Sequence, residues 1–301
     1  MNLKLITAFL KENCIPYTEN ESMALHTTFK TGGNADVFVL PDTAEQLKGI
    51  TGFCRENNIP VTVIGNGSNI LVSDRGIEGV VITLAKLNSI TLQDTETVTC
   101  GAGVPLTAVC LYALKHSLSG LEFAYGIPGS VGGALYMNAG AYGGEIKNVI
   151  FSADVLDKNG NITTVLAEDM CLGYRTSIFK TDKSIILSAT FKLQKGDEAE
   201  IKSNMDELMS RRRDKQPLEY PSAGSTFKRP AGNFAGALIE QSGLKGTAVG
   251  GAMVSEKHAG FIINYNKATS GDVLRLIEKV QQSVFEKHGV MLEPEVIYLG
   301  R

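Results

Sequence analysis

Apolar side chains recur at helical spacing in several stretches of the chain. In residues 272–288 they fall on one face, and Gly289 follows directly, which predicts an amphipathic helix that ends at this glycine. The first dozen residues show the same pattern, with Leu3, Ile6 and Leu10 on one side. The spacing predicts further helices over residues 43–58 (with Thr43 as the cap), 105–117, 198–213 and 233–241.

Runs of β-branched and aromatic residues predict strands between these helices. They cover residues 35–40, 60–65, 79–84, 185–193 and 260–265. Residues 151–166 predict a hairpin, because the pair Asn159-Gly160 between two such runs is a strong turn signal. The strand–helix–strand order of residues 35–65 indicates a small α+β unit.

The composition is that of an ordinary soluble protein with room for two or three domains. The chain has 301 residues, of which 43% are hydrophobic and 20% charged. Its net charge of −3 gives no general attraction to nucleic acid or to an anionic membrane. We therefore expect neither as a partner, and any anionic ligand must be held by a local cluster of residues.

The cysteines indicate a reducing compartment. Five are present, at positions 14, 54, 100, 110 and 171, with no CxxC pair and no metal-ligand spacing to the four histidines. Such a scattered, odd set predicts packing thiols rather than disulfides or a metal site. The N-terminal stretch lacks the apolar core of a signal peptide, and no run reaches the ~20 apolar residues of a membrane span. We expect a cytoplasmic protein without a metal.

The strongest chemical signal is a glycine-rich stretch at residues 124–144, where seven of 21 residues are glycine. Glycine is costly unless the backbone needs positive φ or must approach another group closely, so this density favours a cofactor cradle over a tight turn. Shorter glycine loops follow predicted strands at 65–69 and 101–103. Both lack the third glycine of the dinucleotide fingerprint, since Ile70 and Leu106 stand there, which argues against a Rossmann fold. Segment 65–69 alone fits an anion nest and a hairpin turn equally well.

Five motifs in order carry a family resemblance that covers nearly the whole chain. They are GNGSN (65–69), IPGSVGGALYMNAGAYG (127–143), GYRTSIFK (173–180), SAGSTFK (222–228) and LEPEV (292–296). Together they resemble the UDP-N-acetylenolpyruvoylglucosamine reductase family, in its shorter form, because no segment looks like the tyrosine loop of the longer form. The resemblance implies an α+β fold, with a two-subdomain FAD-binding unit of the vanillyl-alcohol oxidase type and a C-terminal α+β substrate-binding domain. The expected boundaries are 1–85, 86–196 and 197–301.

The resemblance also assigns site residues. It implies that Arg175 stabilises the reaction intermediate beside the flavin, that Ser225 donates a proton, and that Glu295 is the catalytic glutamate. The FAD-binding residues implied are Gly65, Asn66, Gly67, Ser68, Asn69, Gly103, Gly126, Ile127, Pro128, Gly129, Gly132, Gly133, Asn138, Gly140, Ala141 and Gly143. The substrate-binding residues implied are Lys215 and Tyr174.

These residues have plainer interpretations when each is taken alone. A lone arginine is usually a solvated charge, and a serine in a glycine-rich turn is usually turn chemistry. Lys215 belongs to a basic run that fits either a solvated helix end or a clamp for a diphosphate. No cysteine or histidine lies in the three glycine loops, so FAD is expected to bind non-covalently.

The implied activity is NADPH-dependent reduction of UDP-N-acetylglucosamine enolpyruvate to UDP-N-acetylmuramate, a step of peptidoglycan precursor synthesis. Two alternatives stay open from the residues. One is an oxygen-using flavin oxidase of the same fold. The other is a non-enzymatic module that binds flavin or a UDP-sugar.

Overall fold

The computed structural model describes residues 3–301. Its α-helices are α1 Leu3–Glu12, α2 Ala44–Glu56, α3 Leu106–Lys115, α4 Val131–Tyr136, α5 Phe179–Asp182, α6 Glu198–Lys215, α7 Ala235–Gln241 and α8 Ser270–His288. Its strands are β1 Tyr17–Ser22, β2 Asn34–Val39, β3 Val61–Ile64, β4 Ile70–Val72, β5 Ile77–Thr83, β6 Ile90–Leu92, β7 Thr97–Gly101, β8 Leu118–Ser119, β9 Gly140–Ala141, β10 Gly144–Glu145, β11 Ile150–Leu156, β12 Ile162–Leu166, β13 Ile185–Lys192, β14 Gln194–Lys195, β15 Ala248–Val249, β16 Ala252–Val254, β17 Ile262–Asn264 and β18 Ile297–Leu299.

The chain divides into two compact units, and each is built from separate stretches of sequence. Unit 1 holds the residues up to Thr18, Val37–Asn66 and Gly79–Arg212. Unit 2 holds Glu19–Asp36, Gly67–Glu78 and Arg213–Arg301. A four-stranded sheet has the order β1-β2-β5-β3. The division expected at residues 85 and 196 stays a prediction.

Unit 1 contains a five-stranded antiparallel sheet in the order β12-β11-β13-β7-β6. Helix α4 packs on β13 and β7, and the adjoining core includes the fully buried Phe179 and Phe191. The predicted hairpin is confirmed: β11 and β12 pair antiparallel, and Gly160 has φ +87° in the turn between them. Helix α2 also follows its pattern, with Thr43 as a cap whose side chain accepts the Gln46 N–H.

Unit 2 is organised around α8, which packs on β15 and β16 of a three-stranded antiparallel sheet, β15-β16-β17. The predicted apolar face of α8 is buried, because Val273, Val280 and Val284 all have 0% exposure. A capping box begins the helix at Thr269, and Gly289 ends it with φ +66°, as expected. The helix begins two residues earlier than the sequence pattern indicated.

Two sequence expectations need correction. The hairpin interpretation of residues 65–69 is wrong, because β3 pairs with β5 whereas β4 pairs in parallel with β18. The helix predicted over 233–241 begins only at Ala235. Strands β1 and β6 were not predicted, since β1 is largely polar and β6 is only three residues long. Over residues 3–301, every helix is too short or too polar to cross a membrane.

Candidate functional site

The glycine-rich loops of unit 1 are brought together beside α4. The backbone N–H of Leu106 donates to the Gly129 carbonyl at 2.9 Å, and that of Gly132 donates to Ala102 at 2.9 Å, which joins the 101–103 loop to residues 127–133. A Cβ built on Gly65 would lie 2.5 Å from the Ser130 hydroxyl oxygen, so the end of β3 reaches the same place. Predicted loops from three separate parts of the sequence therefore meet.

Adjacent glycines in α4 differ in what they face. A Cβ built on Gly132 would lie 2.9 Å from the Cβ of Ala102, so this glycine is needed for packing within the protein. A Cβ on Gly133 would meet only the Ser130 hydroxyl, at 3.4 Å. The exposed Gly133 thus leaves a bare backbone surface next to Gly65, the kind of surface that a cofactor can approach closely.

Other predicted glycines serve the fold itself. A Cβ on Gly103 would lie 1.9 Å from the Leu84 carbonyl oxygen, and one on Gly140 would lie 2.7 Å from that of Gly144. Gly143 follows Tyr142 in the turn between β9 and β10, where both residues have positive φ, +88° and +53°. Packing and turn geometry therefore require these three glycines whether or not a ligand binds.

Arg175 lies in a tight turn that starts at Gly173. Gly173 and Thr176 exchange backbone hydrogen bonds of 3.1 and 3.3 Å, and Arg175 has φ +54°, a region that non-glycine residues seldom adopt. The guanidinium donates to the Gly140 carbonyl at 3.3 Å and lies 5.3 Å from the ring of the exposed Tyr174. The structure thus places Arg175 beside the glycine-rich stretch, in contact with Gly140.

Asn138 joins the two segments with its side chain. Its amide nitrogen donates to the Gly173 carbonyl at 3.0 Å and to Glu145 at 2.8 Å, and its carbonyl oxygen accepts the Lys147 N–H at 2.9 Å. Asn138 is 1% exposed and has φ +43°. The amide expected to contact FAD is therefore bonded within the protein and fixes the start of the Arg175 turn.

Ser225 and Glu295 are brought together in unit 2, although 70 residues separate them in the sequence. The Glu295 N–H donates to the Thr226 carbonyl at 2.8 Å, and Phe227 forms a β-bridge with Pro294. Ser225 follows Gly224, which has φ +75°, and is exposed, whereas Glu295 is half-buried. The backbone thus positions both residues without using the Ser225 hydroxyl.

The end of the GNGSN motif also contacts the Glu295 segment. The Asn69 side chain donates to the Glu295 carbonyl at 3.3 Å, and the Ile297 N–H donates to the Asn69 carbonyl at 3.0 Å. Gly67 has φ +64°, and a Cβ there would lie 2.0 Å from the His26 carbonyl oxygen. The parallel pairing of β4 with β18 thus brings a predicted cofactor motif to the predicted catalytic glutamate.

Helix α6 carries a buried arginine, Arg212, which belongs to the same basic run as Lys215 and was not singled out from the sequence. Arg212 is 6% exposed and lies 5.5 Å from the ring of Tyr142, and burial lowers the pKa of its guanidinium. The helix also buries Ile201 and Met205, which lie on the same face as Arg212 at i, i+4 and i+11. Extending this apolar periodicity along the helix would have identified position 212 as buried. Lys215, the last residue of the helix, is exposed. Its expected role in substrate binding stays a prediction.

The cysteines are all free thiols. Burial raises the pKa of Cys54, Cys100 and Cys110 to about 12, so these thiols stay protonated at neutral pH. Cys14 and Cys171 are exposed. Among residues 3–301, histidine, cysteine and carboxylate side chains form no group able to hold a metal ion.

Comparison with known proteins gives matches over the whole chain. A family model described as FAD binding domain matches residues 35–166, and one described as UDP-N-acetylenolpyruvoylglucosamine reductase, C-terminal domain, matches residues 216–299. A UDP-N-acetylenolpyruvoylglucosamine reductase of Clostridium novyi (strain NT) is 53% identical over 300 residues, covering 100% of this chain and 96% of the relative. The chain belongs to the UDP-N-acetylenolpyruvoylglucosamine reductase family.

Further members of the reductase family agree. The protein of that name from Clostridium botulinum (strain Hall / ATCC 3502 / NCTC 13319 / Type A) is 55% identical over 281 residues, which are 93% of this chain and 92% of the relative. The solved structure of UDP-N-acetylenolpyruvylglucosamine reductase from Thermus caldophilus superposes with a TM-score of 0.82 at 34% identity, covering 95% of this chain and 98% of that one. The predicted α+β class, with an FAD-binding unit and a C-terminal domain, is confirmed.

The residues at the meeting point of the loops fit FAD. The exposed Gly133 leaves its backbone free of a side chain, and a Cβ there would enter this open space and meet only the Ser130 hydroxyl, at 3.4 Å. The sequence left three functions open: a reductase, a flavin oxidase and a non-enzymatic binding module. Membership of a reductase family favours the first.

Proposed function

We propose that this protein is the FAD-dependent enzyme that reduces UDP-N-acetylglucosamine enolpyruvate to UDP-N-acetylmuramate, with NADPH as the electron donor. The observation that carries the proposal is identity of 53% along the entire chain to a reductase of this name. The activity belongs to peptidoglycan precursor synthesis, and through it to cell-wall biogenesis, cell shape and cell division. We place it in the cytoplasm, where nucleotide sugars and NADPH are made.

Gly65, Gly133 and the loops joined to them would hold the cofactor. When bound there, FAD would supply the hydride chemistry that the enolpyruvyl double bond requires, with NADPH as the source of the electrons. The remaining work of the protein is to orient the substrate, to stabilise the charge that develops on it and to deliver one proton.

Arg175 is proposed to stabilise the negative charge that spreads towards the substrate carboxylate. A cation fixed before the reaction lowers the energy of developing charge without the cost of reorienting solvent. The tight turn, the contact with Gly140 and the stacking on Tyr174 limit the directions that the guanidinium can take. We propose Tyr174 as a contact for the substrate beside it.

Ser225 is proposed to complete the reduction by donating its hydroxyl proton to the adjacent substrate carbon. A positioned general acid typically contributes ~10²–10⁴-fold to the rate. The hydrogen bond from the Glu295 N–H to the Thr226 carbonyl supports a role for Glu295 together with Ser225, because it holds Glu295 next to the residue that follows Ser225. Lys215 is proposed to bind the diphosphate of the substrate.

The proposal is tested by following the flavin absorbance of the purified holoenzyme without oxygen. NADPH should bleach the flavin, and the UDP-sugar enolpyruvyl ether should then restore its colour and yield a product heavier by two hydrogen atoms. Colour that returns only on admission of oxygen would favour an oxidase. A flavin that NADPH fails to bleach would favour a binding module.

A further inference from the structure

We propose that Lys180 is a positioning residue that holds the Arg175 turn in its reactive conformation. The Lys180 ammonium donates a hydrogen bond of 2.7 Å to the backbone carbonyl oxygen of Arg175 and lies 5.6 Å from the centre of the Tyr136 ring. The side chain is half-buried. This inference rests on the role proposed for Arg175 and adds a second residue through which that role is exerted.

The turn needs such support because Arg175 adopts an unfavourable backbone conformation. It has φ +54° at the third position of a four-residue turn closed by Gly173 and Thr176, where glycine is the preferred residue. A non-glycine residue in this region persists only when its surroundings fix it. A charged donor on the carbonyl of the strained residue itself acts at the place where the turn would otherwise relax.

Two further contacts hold the ends of the turn. Asn138 bonds the Gly173 carbonyl, and the Ser177 hydroxyl donates to the Tyr136 carbonyl at 2.7 Å. Lys180 contacts the central peptide, and its ammonium also lies over the Tyr136 ring. Loss of the Lys180 amine should therefore leave the loop attached at both ends while the peptide that carries the Arg175 guanidinium moves.

The proposal predicts that Lys180→Met slows one half-reaction only. Reoxidation by the enolpyruvyl substrate should slow about tenfold or more, while bleaching by NADPH stays within about twofold of the native rate. Lys180→Arg keeps a charged donor and should recover part of the rate. Lys183→Met, which removes an exposed lysine three residues further on, is the matched control and should behave like the native protein.

Two combined measurements separate positioning from general stability. Because Lys180 acts through Arg175, the double variant with Arg175→Met should reoxidise no more slowly than Arg175→Met alone. In the flavin-free protein, trypsin should cleave after Arg175 several times faster in Lys180→Met than in the Lys183→Met control, because the turn opens more often.

Reoxidation of Lys180→Met at the native rate would overturn the proposal. So would a double variant that reoxidises more slowly than Arg175→Met by the same factor that Lys180→Met alone produces. If Arg175→Met itself reoxidises at the native rate, the role of Arg175 in the proposed function is wrong. The tryptic cleavage rate then decides separately whether Lys180 anchors the turn, and an unchanged rate would reject the anchoring.

Discussion

Replacing Gly133 with alanine should weaken FAD binding without weakening the flavin-free protein. A Cβ on Gly133 meets only the Ser130 hydroxyl, at 3.4 Å, which is an ordinary contact distance. The residue lies inside α4, where alanine is favoured over glycine by ~0.8–1 kcal/mol. The free energy of unfolding of the apoprotein should therefore stay the same or rise by up to ~1 kcal/mol.

The effect on FAD follows from the space that the new methyl group would occupy. If the cofactor lies against the bare backbone at Gly133, the methyl group overpacks that contact. Overpacking typically costs ~1–3 kcal/mol, which corresponds to a dissociation constant raised by about 5- to 150-fold. The constant can be measured by titrating flavin-free protein with FAD and following the quenching of flavin fluorescence.

Gly132→Ala is the matched control, one residue away in the same helix. Its Cβ would lie 2.9 Å from the Cβ of Ala102, so the clash is with the protein itself. The flavin-free Gly132→Ala protein should unfold in urea with a free energy ~1–3 kcal/mol below that of Gly133→Ala. A native FAD affinity in Gly133→Ala, or a destabilised apoprotein, would refute the placement of FAD against Gly133.

Four further predictions concern chemistry and stability. Ser225→Ala should keep its fold, its FAD and its bleaching by NADPH but reoxidise with substrate ~10²–10⁴-fold more slowly, with partial recovery in Ser225→Cys; stopped-flow reoxidation at native speed would leave Ser225 as a turn residue only. Lys215→Ala should raise KM for the UDP-sugar at least about tenfold with kcat little changed, and an unchanged KM would return Lys215 to a solvated helix end. Acid precipitation should release all the flavin to the supernatant, and colour retained in the washed pellet would show a covalent bond. Backbone N–H groups donate hydrogen bonds to the Asp272 carboxylate, chiefly that of Thr269 and then that of Gly251, and they lower the pKa of Asp272 below 3.8. Ionised Asp272 therefore stabilises the folded protein above about pH 4, and this stabilisation is lost as the pH falls further. Asp272→Ala should therefore cost ~1 kcal/mol of unfolding free energy at pH 7, and urea titrations should show the difference shrinking as the pH falls below 3.8.

The local structure of this protein could be predicted from its sequence. Helix α8 and its glycine stop, the Thr43 cap of α2 and the Asn159-Gly160 hairpin all formed where the pattern placed them. Each depends on residues within a few positions of one another, through periodic burial, capping or turn geometry. Family-specific motifs added the function, because the chemistry of a flavin site constrains short stretches of sequence strongly.

The arrangement of the site could not be predicted in the same way. Nothing local to residues 65–69 indicates that the strand after them pairs with β18, more than 220 residues later, and so reaches Glu295. Likewise, nothing local to Asn138 indicates that its side chain donates to the carbonyl of Gly173, 35 residues later. Composition cannot distinguish a glycine that faces open space from one that packing needs, as Gly133 and Gly132 show.

Sequence by itself therefore determined six of the eight α-helices in residues 3–301, the hairpin, the family and the residue types that carry the chemistry. Tertiary structure alone decided which of these residues meet, which glycines face open space, and that Arg212 is buried in a run of otherwise exposed charges. The physical reason is range. Propensity, capping and turn geometry act between near neighbours, whereas strand pairing and burial depend on contacts between distant segments, and many pairings are compatible with the same local pattern.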